Sequence, residues 1–345
     1  MNKFRKILSL YTVIFLFIAM PAFSDMPEFD LGDLKEKVDD FTDALAQSLP
    51  FNSTMGLNWS DAYVGQLLAR PPHFGVGVNI GFTTINFDSL NGLLEMFNIS
   101  LPDNVNMGGF TLPGYTIDAR IGGFFLPFDI GIKFGYLHLT PDSINGLLGT
   151  EIPDFTMDYL LIGGDIRYAL VKGKTFPLKV SVGAGYNYLK GGISMPVGND
   201  LSFSIPNENM KLNISRPDLG INWETNSIDL KVQASIKVLV LTPYLGVGAS
   251  YAWSNAGYGV TSNITVTDAD DNDVPLADAK SKLEAYGLSD IDENGFSQTN
   301  EVTGWSFRTF GGFSINLSFI RFDFTGMYDF ISQCYGFTFG IRVQL

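Results

Sequence analysis

The sequence has few of the residues that carry most enzymatic and metal chemistry. Among 345 residues it has one cysteine, Cys334, which excludes an intramolecular disulfide and a zinc site built from several thiolates. Its two histidines, His73 and His138, do not stand beside a serine or an aspartate in a pattern suited to nucleophilic catalysis. We therefore predict that the protein is not an enzyme.

Positive charge is also scarce. Lysine and arginine number 22 against 36 aspartates and glutamates, which gives a net charge of −14. Binding to nucleic acid depends on basic contacts to phosphate, so we predict no nucleic-acid partner. Charged residues make up only 17% of the chain and aromatic residues 14%, a composition that excludes intrinsic disorder.

Only one long apolar run is present, and it lies near the N-terminus. Basic residues precede an apolar stretch over residues 7–20, and the small residues Ala22 and Ser24 stand just before Asp25. This pattern predicts a secretory signal peptide over residues 1–24, cleaved between Ser24 and Asp25, and the run is short for the alternative of an uncleaved anchor helix. An exported chain without a second apolar helix is periplasmic, released, or an outer-membrane β-barrel.

A two-residue alternation of apolar and small or polar side chains separates these three classes. It runs through residues 74–82, 128–136, 228–240 and 335–345. Side chains alternate across a strand, so each of these segments has one continuous apolar face. The strands need about 9–11 residues to cross a bilayer at a tilt, and these runs are long enough. The alternation therefore favours a membrane β-barrel.

We predict ten strands, with short connections alternating with mostly longer ones. The strands are placed at residues 73–85, 115–125, 127–139, 156–171, 177–190, 226–240, 243–258, 302–317, 319–330 and 333–343. Short turns at one end and long loops at the other are typical of outer-membrane barrels. The predicted fold is all-β, a transmembrane antiparallel up-and-down β-barrel over residues 73–345. A further hairpin within 191–225 would raise the count to twelve.

An internal repeat marks two of the predicted outer loops. Residues 77–94 align without gaps with residues 131–148, and each copy runs from a strand into an Asp-Ser pair followed by apolar residues. Asp and Ser are favourable at helix N-caps, so each of these loops is predicted to open with a short apolar helix.

Residues 25–72 lack the alternation and form a separate N-terminal segment. Apolar residues three or four apart, with acidic residues between them, predict an amphipathic helix that ends near Pro50. Its apolar stripe, the candidate plug surface, consists of Leu31, Leu34, Val38, Phe41 and Leu45.

Strand parity places more basic than acidic residues on the inner face of the barrel. The predicted lumen-lining charged residues are Asp118, Arg120, Lys133, Asp165, Arg167, Lys179, Asp229, Lys231, Lys237, Arg308, Arg321, Asp323 and Arg342. An acidic helix ahead of a basic lumen predicts a plug inside the barrel. The alternative is a helix in the periplasm, with the lumen charges paired across strands.

One segment matches the EF-hand calcium motif over twelve positions. Its oxygen ligands would be Asp290, Asp292, Asn294, the carbonyl of Phe296, Gln298 and Glu301, with Gly295 at the sharp turn. Residues 276–286 would form the preceding helix, although a strand rather than a helix is predicted after Glu301. An acidic loop also matches such a motif by chance. We predict no required cofactor, with Ca²⁺ in this outer loop as the one candidate.

Residues 73–345 resemble a bacterial outer-membrane β-barrel protein, and the alternating aromatic residues of the last strand resemble the assembly signal of such proteins. The helical segment before the barrel and the apolar loop helices are similar to features of the long-chain fatty-acid transporter family. That family implies fourteen strands and an N-terminal plug. The resemblance assigns no functional residues here.

Two functional hypotheses follow. The first is a plugged or gated channel for uptake of a small hydrophobic solute. The second is a closed structural barrel whose long outer loops act as a surface antigen or adhesin. In both cases the expected location is the bacterial outer membrane, and the expected partners are outer-membrane lipid and the barrel-assembly machinery, with a hydrophobic small molecule added under the first hypothesis.

Overall fold

The computed structural model describes most of the chain after the predicted signal peptide. It covers residues 29–69, 72–85, 110–140, 156–173, 177–196, 200–205, 210–268, 272–285, 291–292 and 294–345. The signal peptide and the two predicted loop helices, near residues 88–94 and 142–148, lie outside these residues. Neither helix of the described chain has the length and apolar character to cross a membrane.

The described residues form thirteen strands and two helices. The strands are β1 (Phe29–Asp30), β2 (Phe74–Ile85), β3 (Phe110–Gly122), β4 (Phe128–Leu139), β5 (Thr156–Lys172), β6 (Leu178–Pro196), β7 (Leu201–Ile205), β8 (Met210–Ile236), β9 (Leu241–Asp268), β10 (Asp273–Val274), β11 (Gly295–Leu317), β12 (Ile320–Asp329) and β13 (Tyr335–Gln344). The helices are α1 (Leu31–Asn52) and α2 (Leu276–Ala285).

Ten of these strands close into an antiparallel barrel. The ladder runs β2-β3-β4-β5-β6-β8-β9-β11-β12-β13, and β13 returns to β2, with Phe339 opposite Ile80. The counts of twelve and fourteen strands are therefore wrong for the described chain. The alternation within 191–225 belongs to β7, which pairs with the end of β8 beyond its ladder with β6 and so adds no barrel strand.

The two ends of the barrel differ. At one end, which we call the turn end, consecutive strands are separated by few residues, as between Gly122 and Phe128, Ile236 and Leu241, and Leu317 and Ile320. At the opposite end, the loop end, the separations include longer ones, as between Ile85 and Phe110 and between Leu139 and Thr156. Antiparallel strands joined in sequence produce this arrangement, which is the expected one for an outer-membrane barrel.

The outer surface of the barrel is apolar, whereas the inner surface is polar toward the turn end and apolar toward the loop end. Along β4, Ile132 is 62% exposed on the outside, whereas its neighbour Lys133 is 3% exposed on the inside. On the outer surface Tyr251 lies 5.1 Å, between ring centroids, from both Trp253 and Trp305. Aromatic side chains of this kind mark the membrane–water interface of transmembrane barrels.

One predicted lumen residue, Lys237, is not in the lumen. β8 ends at Ile236, and an isolated bridge between Val238 and Leu241 closes a tight turn with Leu239 at a positive φ of 53°. Lys237 is exposed in this turn. The strand predicted at 226–240 thus ends four residues earlier, and the tight turn precedes Leu241.

A second core lies beyond the barrel at the loop end. It packs Phe203 of β7 and the far ends of β8 and β9 against Ala279 and Leu283 of α2. The side chains of this outer head are buried, so the loop-end extensions of the strands form a folded unit. β1 pairs in parallel with β7, with Phe29 opposite Phe203, which ties the start of the described chain to the head.

Part of the predicted calcium loop at residues 290–301 lies in a strand, and calcium binding there stays a prediction. β11 begins at Gly295 and pairs with β9, so Phe296, Gln298 and Glu301 lie in an extended strand. An EF-hand loop must wrap its ligands around one point, which an extended ladder strand does not do. Within the described chain, Asp292 and Asn294 stand at the tight turn before this strand.

The orientation of the wall can be tested with two arginine substitutions. Ile132 is the middle one of the five apolar outward residues of β4, so Ile132→Arg should lower the free energy of unfolding by about 2–4 kcal/mol. Thr265→Arg, at an exposed position of β9 in the head, should change it little. Denaturant unfolding in lipid vesicles measures both. Equal costs at the two positions would contradict a lipid-facing surface at Ile132.

Candidate functional site

Residues 41–66 of the N-terminal segment pack against inward-facing side chains of the barrel wall. In the loop-end half, Phe41, Leu45 and Leu49 of α1 are buried in one apolar cluster with inward side chains of the wall. The predicted stripe thus faces the wall at Phe41 and Leu45. The structure does not describe the side chains of the other stripe residues, Leu31, Leu34 and Val38.

The polar side of α1 meets amide side chains of β11. Gln298 donates to the carboxylate of Asp39 over 3.2 Å, and Asn300 donates to Asp43 and to the hydroxyl of Thr42, each over 3.2 Å. Gln298, predicted as a calcium ligand, is therefore a contact between the wall and α1. These bonds fix the rotation of the helix so that its apolar side faces the apolar part of the wall.

After α1 the chain turns sharply and runs toward the turn end. Gly56 and Leu57 both have positive φ values, 82° and 56°. A positive φ is unfavourable for leucine, and a strained residue of this kind persists only when its surroundings hold it. The backbone N–H of Leu57 donates to Asp118 of β3 over 2.6 Å, which supplies that constraint.

Lysine side chains of the wall bind backbone carbonyls of this segment. Lys133 donates to the carbonyls of Ser53 and Met55 over 2.7 and 2.6 Å, and Lys179 donates to that of Tyr63 over 2.8 Å. An irregular segment has no ladder of its own, so its buried polar groups must be satisfied by neighbours. The wall lysines do this for these three carbonyls.

Asp61 is the main charged anchor of the segment. Its carboxylate contacts Arg321 and lies 3.1 Å from the guanidinium of Arg342 and 3.6 Å from the ammonium group of Lys179. Burial by itself would raise the pKa of this carboxyl, but Arg321 and the other nearby cations hold it well below its usual value. Asp61 is therefore ionised throughout the physiological pH range.

Trp59 packs beside Asp61 between two arginines. The guanidinium carbon of Arg342 is 4.5 Å from the centroid of the Trp59 ring, and that of Arg120 is 5.7 Å from it. The indole is 1% exposed, so these cation–π contacts are desolvated, where such contacts are strongest.

The remaining charges of the wall pair with each other. Asp129 accepts from Arg120 over 2.5 Å and from Arg167 over 2.8 Å, and Asp229 accepts from Arg308 over 2.7 Å. Further buried pairs join Asp165 to Arg120 and Lys231, and Asp323 to Arg342. The structure thus brings most of the predicted lumen charges into one network around residues 53–66.

Glycines of the wall leave the space that the segment occupies. A Cβ added to Gly114 would lie 2.1 Å from Cε of Met55, and one added to Gly122 would lie 2.1 Å from the carbonyl oxygen of Gly65. Real Cβ atoms do not approach other atoms so closely. At Gly122 the obstacle is backbone, so the segment can lie there only because the wall carries no side chain, whereas at Gly114 the flexible end of Met55 could shift.

The two histidines lie away from the contacts between the wall and the segment. His138 pairs with Asp158 over 2.7 Å on the outside of the barrel, and His73 lies 3.2 Å from the carbonyl of Leu345 at the turn end. In the part of the chain that is described, no group of three His, Cys, Asp or Glu side chains could hold a metal ion. Most of the charged side chains described in the lumen pair with one another or contact the segment.

A closed antiparallel barrel with an apolar outer surface and charged side chains on its inner wall is a bacterial outer-membrane β-barrel protein. Residues 162–345, just over half of the chain, match the family described as a family of unknown function, DUF6588. The chain belongs to this family. No curated protein matches the sequence.

Several solved structures are similar to the chain over most of its length. A major outer membrane protein from Thermus thermophilus is 11% identical, covers 78% of this chain and 99% of its own, and has a TM-score of 0.27. The CymD monoaromatic hydrocarbon channel is 9% identical, with coverages of 87% and 91% and a TM-score of 0.24. The toluene transporter TbuX of Ralstonia pickettii is 9% identical, with coverages of 79% and 89% and a TM-score of 0.22. Similarities of this size carry no functional argument.

The anchoring role of Asp61 predicts the effect of Asp61→Asn. The substitution leaves Arg321 and Arg342 buried beside a neutral amide, so the free energy of unfolding should fall by about 3–5 kcal/mol. Because the folded pKa lies below the unfolded value of about 3.9, the stabilisation by Asp61 is complete above that value and is lost as the pH falls through the folded pKa.

The difference in unfolding free energy between the parent and Asp61→Asn should therefore be equal at pH 7 and pH 5 and smaller at pH 3. Denaturant titrations at the three pH values measure it. A difference that shrinks between pH 7 and pH 5 would contradict a depressed pKa.

Proposed function

We propose that this protein is an outer-membrane channel for a small hydrophobic solute, and that residues 29–66 close the channel at rest. The loop end faces outward in this proposal, as long loops do in bacterial outer-membrane barrels. Opening requires part of the segment to leave the lumen, since the described wall and segment are in contact along the whole barrel.

The fit between wall glycines and segment is the observation that carries the proposal. A purely structural barrel of ten strands can fill its lumen with its own side chains. Here Gly75, Gly114 and Gly122 leave room that Trp59, Met55 and Gly65 of the segment take up. A lumen that is wide enough for a chain segment is wide enough for a small solute once that segment moves.

The kinds of contact also support a segment that can move. Between residues 53 and 66 the described contacts with the wall are mostly hydrogen bonds and ion pairs, such as those of Leu57 to Asp118 and of Val64 to Asp129. Water can replace polar contacts of this kind when the lumen opens, because the net contribution of one hydrogen bond is only about 0.5–1.5 kcal/mol.

Charge reversal and a disulfide together test the gate. Asp61→Arg places a cation among Arg321, Arg342 and Lys179 and should expel the segment, so conductance in planar bilayers should rise above that of the parent. Ser53 and Ser227 have their hydroxyl oxygens 2.8 Å apart, close enough for a disulfide in Ser53→Cys/Ser227→Cys.

Adding the cysteine pair to Asp61→Arg should return conductance to the parent's level when oxidised, and reduction should raise it again. All variants carry Cys334→Ala, and Asp278→Arg on the exposed side of α2 is the matched charge control. A folded Asp61→Arg barrel that conducts no more than the parent would show that the segment does not close the channel.

A further inference from the structure

Two polar atoms in the apolar half of the lumen have no hydrogen-bond partner. They are the hydroxyl of Tyr159 on β5 and the indole Nε1 of Trp223 on β8, and no described residue bonds to either. The two side chains are 4% and 3% exposed. An unsatisfied buried polar group costs about 1–3 kcal/mol, so each such group in a folded protein needs an explanation.

Both side chains belong to one level of the inner wall. Gly191 of β6 stands between them, opposite Tyr159 on one side and opposite Trp223 on the other. A Cβ on Gly191 would lie 2.7 Å from Cε2 of the indole, and a Cβ on Gly114 would lie 3.0 Å from the Tyr159 hydroxyl. The glycines thus allow the two rings to lie against the wall.

Apolar side chains of α1 belong to the same buried cluster as these two rings. Phe41, Leu45 and Leu49 of α1 pack in the same cluster as Tyr159 and Trp223. Their side chains fill the compartment but cannot accept a hydrogen bond. In the resting state the apolar walls of the compartment are therefore packed, but its two polar atoms have no hydrogen-bond partner.

We infer that this compartment is the solute site, and that its ligand is a small neutral molecule with an apolar body and a hydrogen-bond acceptor, such as an aryl ketone or aldehyde. An indole N–H only donates and a phenol can donate, so both atoms call for an acceptor oxygen. The inference rests on the proposed function, because the solute takes the place of the α1 side chains when the segment moves.

The effect of Tyr159→Phe on stability distinguishes a binding role of this hydroxyl from a structural one. Tyr159→Phe removes a hydroxyl that has no partner at rest, so it should leave the free energy of unfolding unchanged or raise it. A hydroxyl that was needed for the fold would instead lose stability on removal. The same substitution should weaken the binding of solutes with an acceptor oxygen.

Acetophenone and ethylbenzene are suitable probes, because they have similar shapes and differ by one carbonyl oxygen. Their binding to the full chain in nanodiscs is measured by equilibrium dialysis and corrected for partition into empty nanodiscs. We expect the parent to prefer acetophenone by about three- to tenfold, the size of one hydrogen bond. Tyr159→Phe with Trp223→Phe should abolish that preference, and Tyr159→Phe alone covers the case in which the double variant does not fold.

Tyr186→Phe is the matched control, since the Tyr186 hydroxyl donates to Asn226 on the outer surface of the barrel. It should keep the preference for acetophenone. A parent without any preference, or a preference that survives in folded Tyr159→Phe and in the double variant, would overturn the site. Either result would leave the proposed channel untouched, because the disulfide experiment on Asp61→Arg tests the channel separately. If only the disulfide experiment failed, the channel would be ruled out but the binding preference would remain.

Discussion

Buried positive charge in a narrow lumen is the constraint on which the rest of this structure depends. Arginine and lysine keep their charge only where anionic or dipolar partners replace the water they lose. Arg342 pairs both with Asp323 of the wall and with Asp61 of the segment, and Arg321 also contacts Asp61. The wall and the segment are therefore one electrostatic unit, and removal of the segment changes the energy of the barrel as well.

The lumen is divided into two parts with different chemistry. The loop-end part is apolar and holds α1, and the turn-end part is charged and holds the irregular segment after Gly56. In the channel that we propose, an apolar solute arriving from the loop end would meet a compatible surface first. The charged part beyond it, held by hydrogen bonds and ion pairs, would then be the part that closes the lumen to that solute.

Alternation in the sequence was enough to predict the barrel. The outward residues of β4 and the inward position of Lys133 follow from strand periodicity, because that pattern reports which face lies in lipid. Periodicity does not report where a strand ends, and so Lys237 was assigned to the lumen although β8 stops one residue earlier. The alternation before Ile205 predicted a hairpin correctly but not its place outside the barrel.

The contacts of the segment could not be predicted in the same way. Residues 53–66 have no repeating pattern, and the importance of Asp61 depends on three cations that come from distant parts of the chain. The acidic residues of α1 were predicted to pair with the basic lumen, whereas Asp39 and Asp43 accept hydrogen bonds from amide side chains of β11. The calcium motif matched residue types at twelve positions, but strand pairing with β9 sets the backbone there.

The position of Trp59 has a consequence for assembly. Its ring lies against Gly75 of β2 and under the guanidinium of Arg342 on β13, and these two strands form the seam where the barrel closes. The segment thus bridges the two strands on the inside of the seam and adds contacts to both. A barrel that closed without the segment would lack these contacts at its seam, so docking of the segment favours closure.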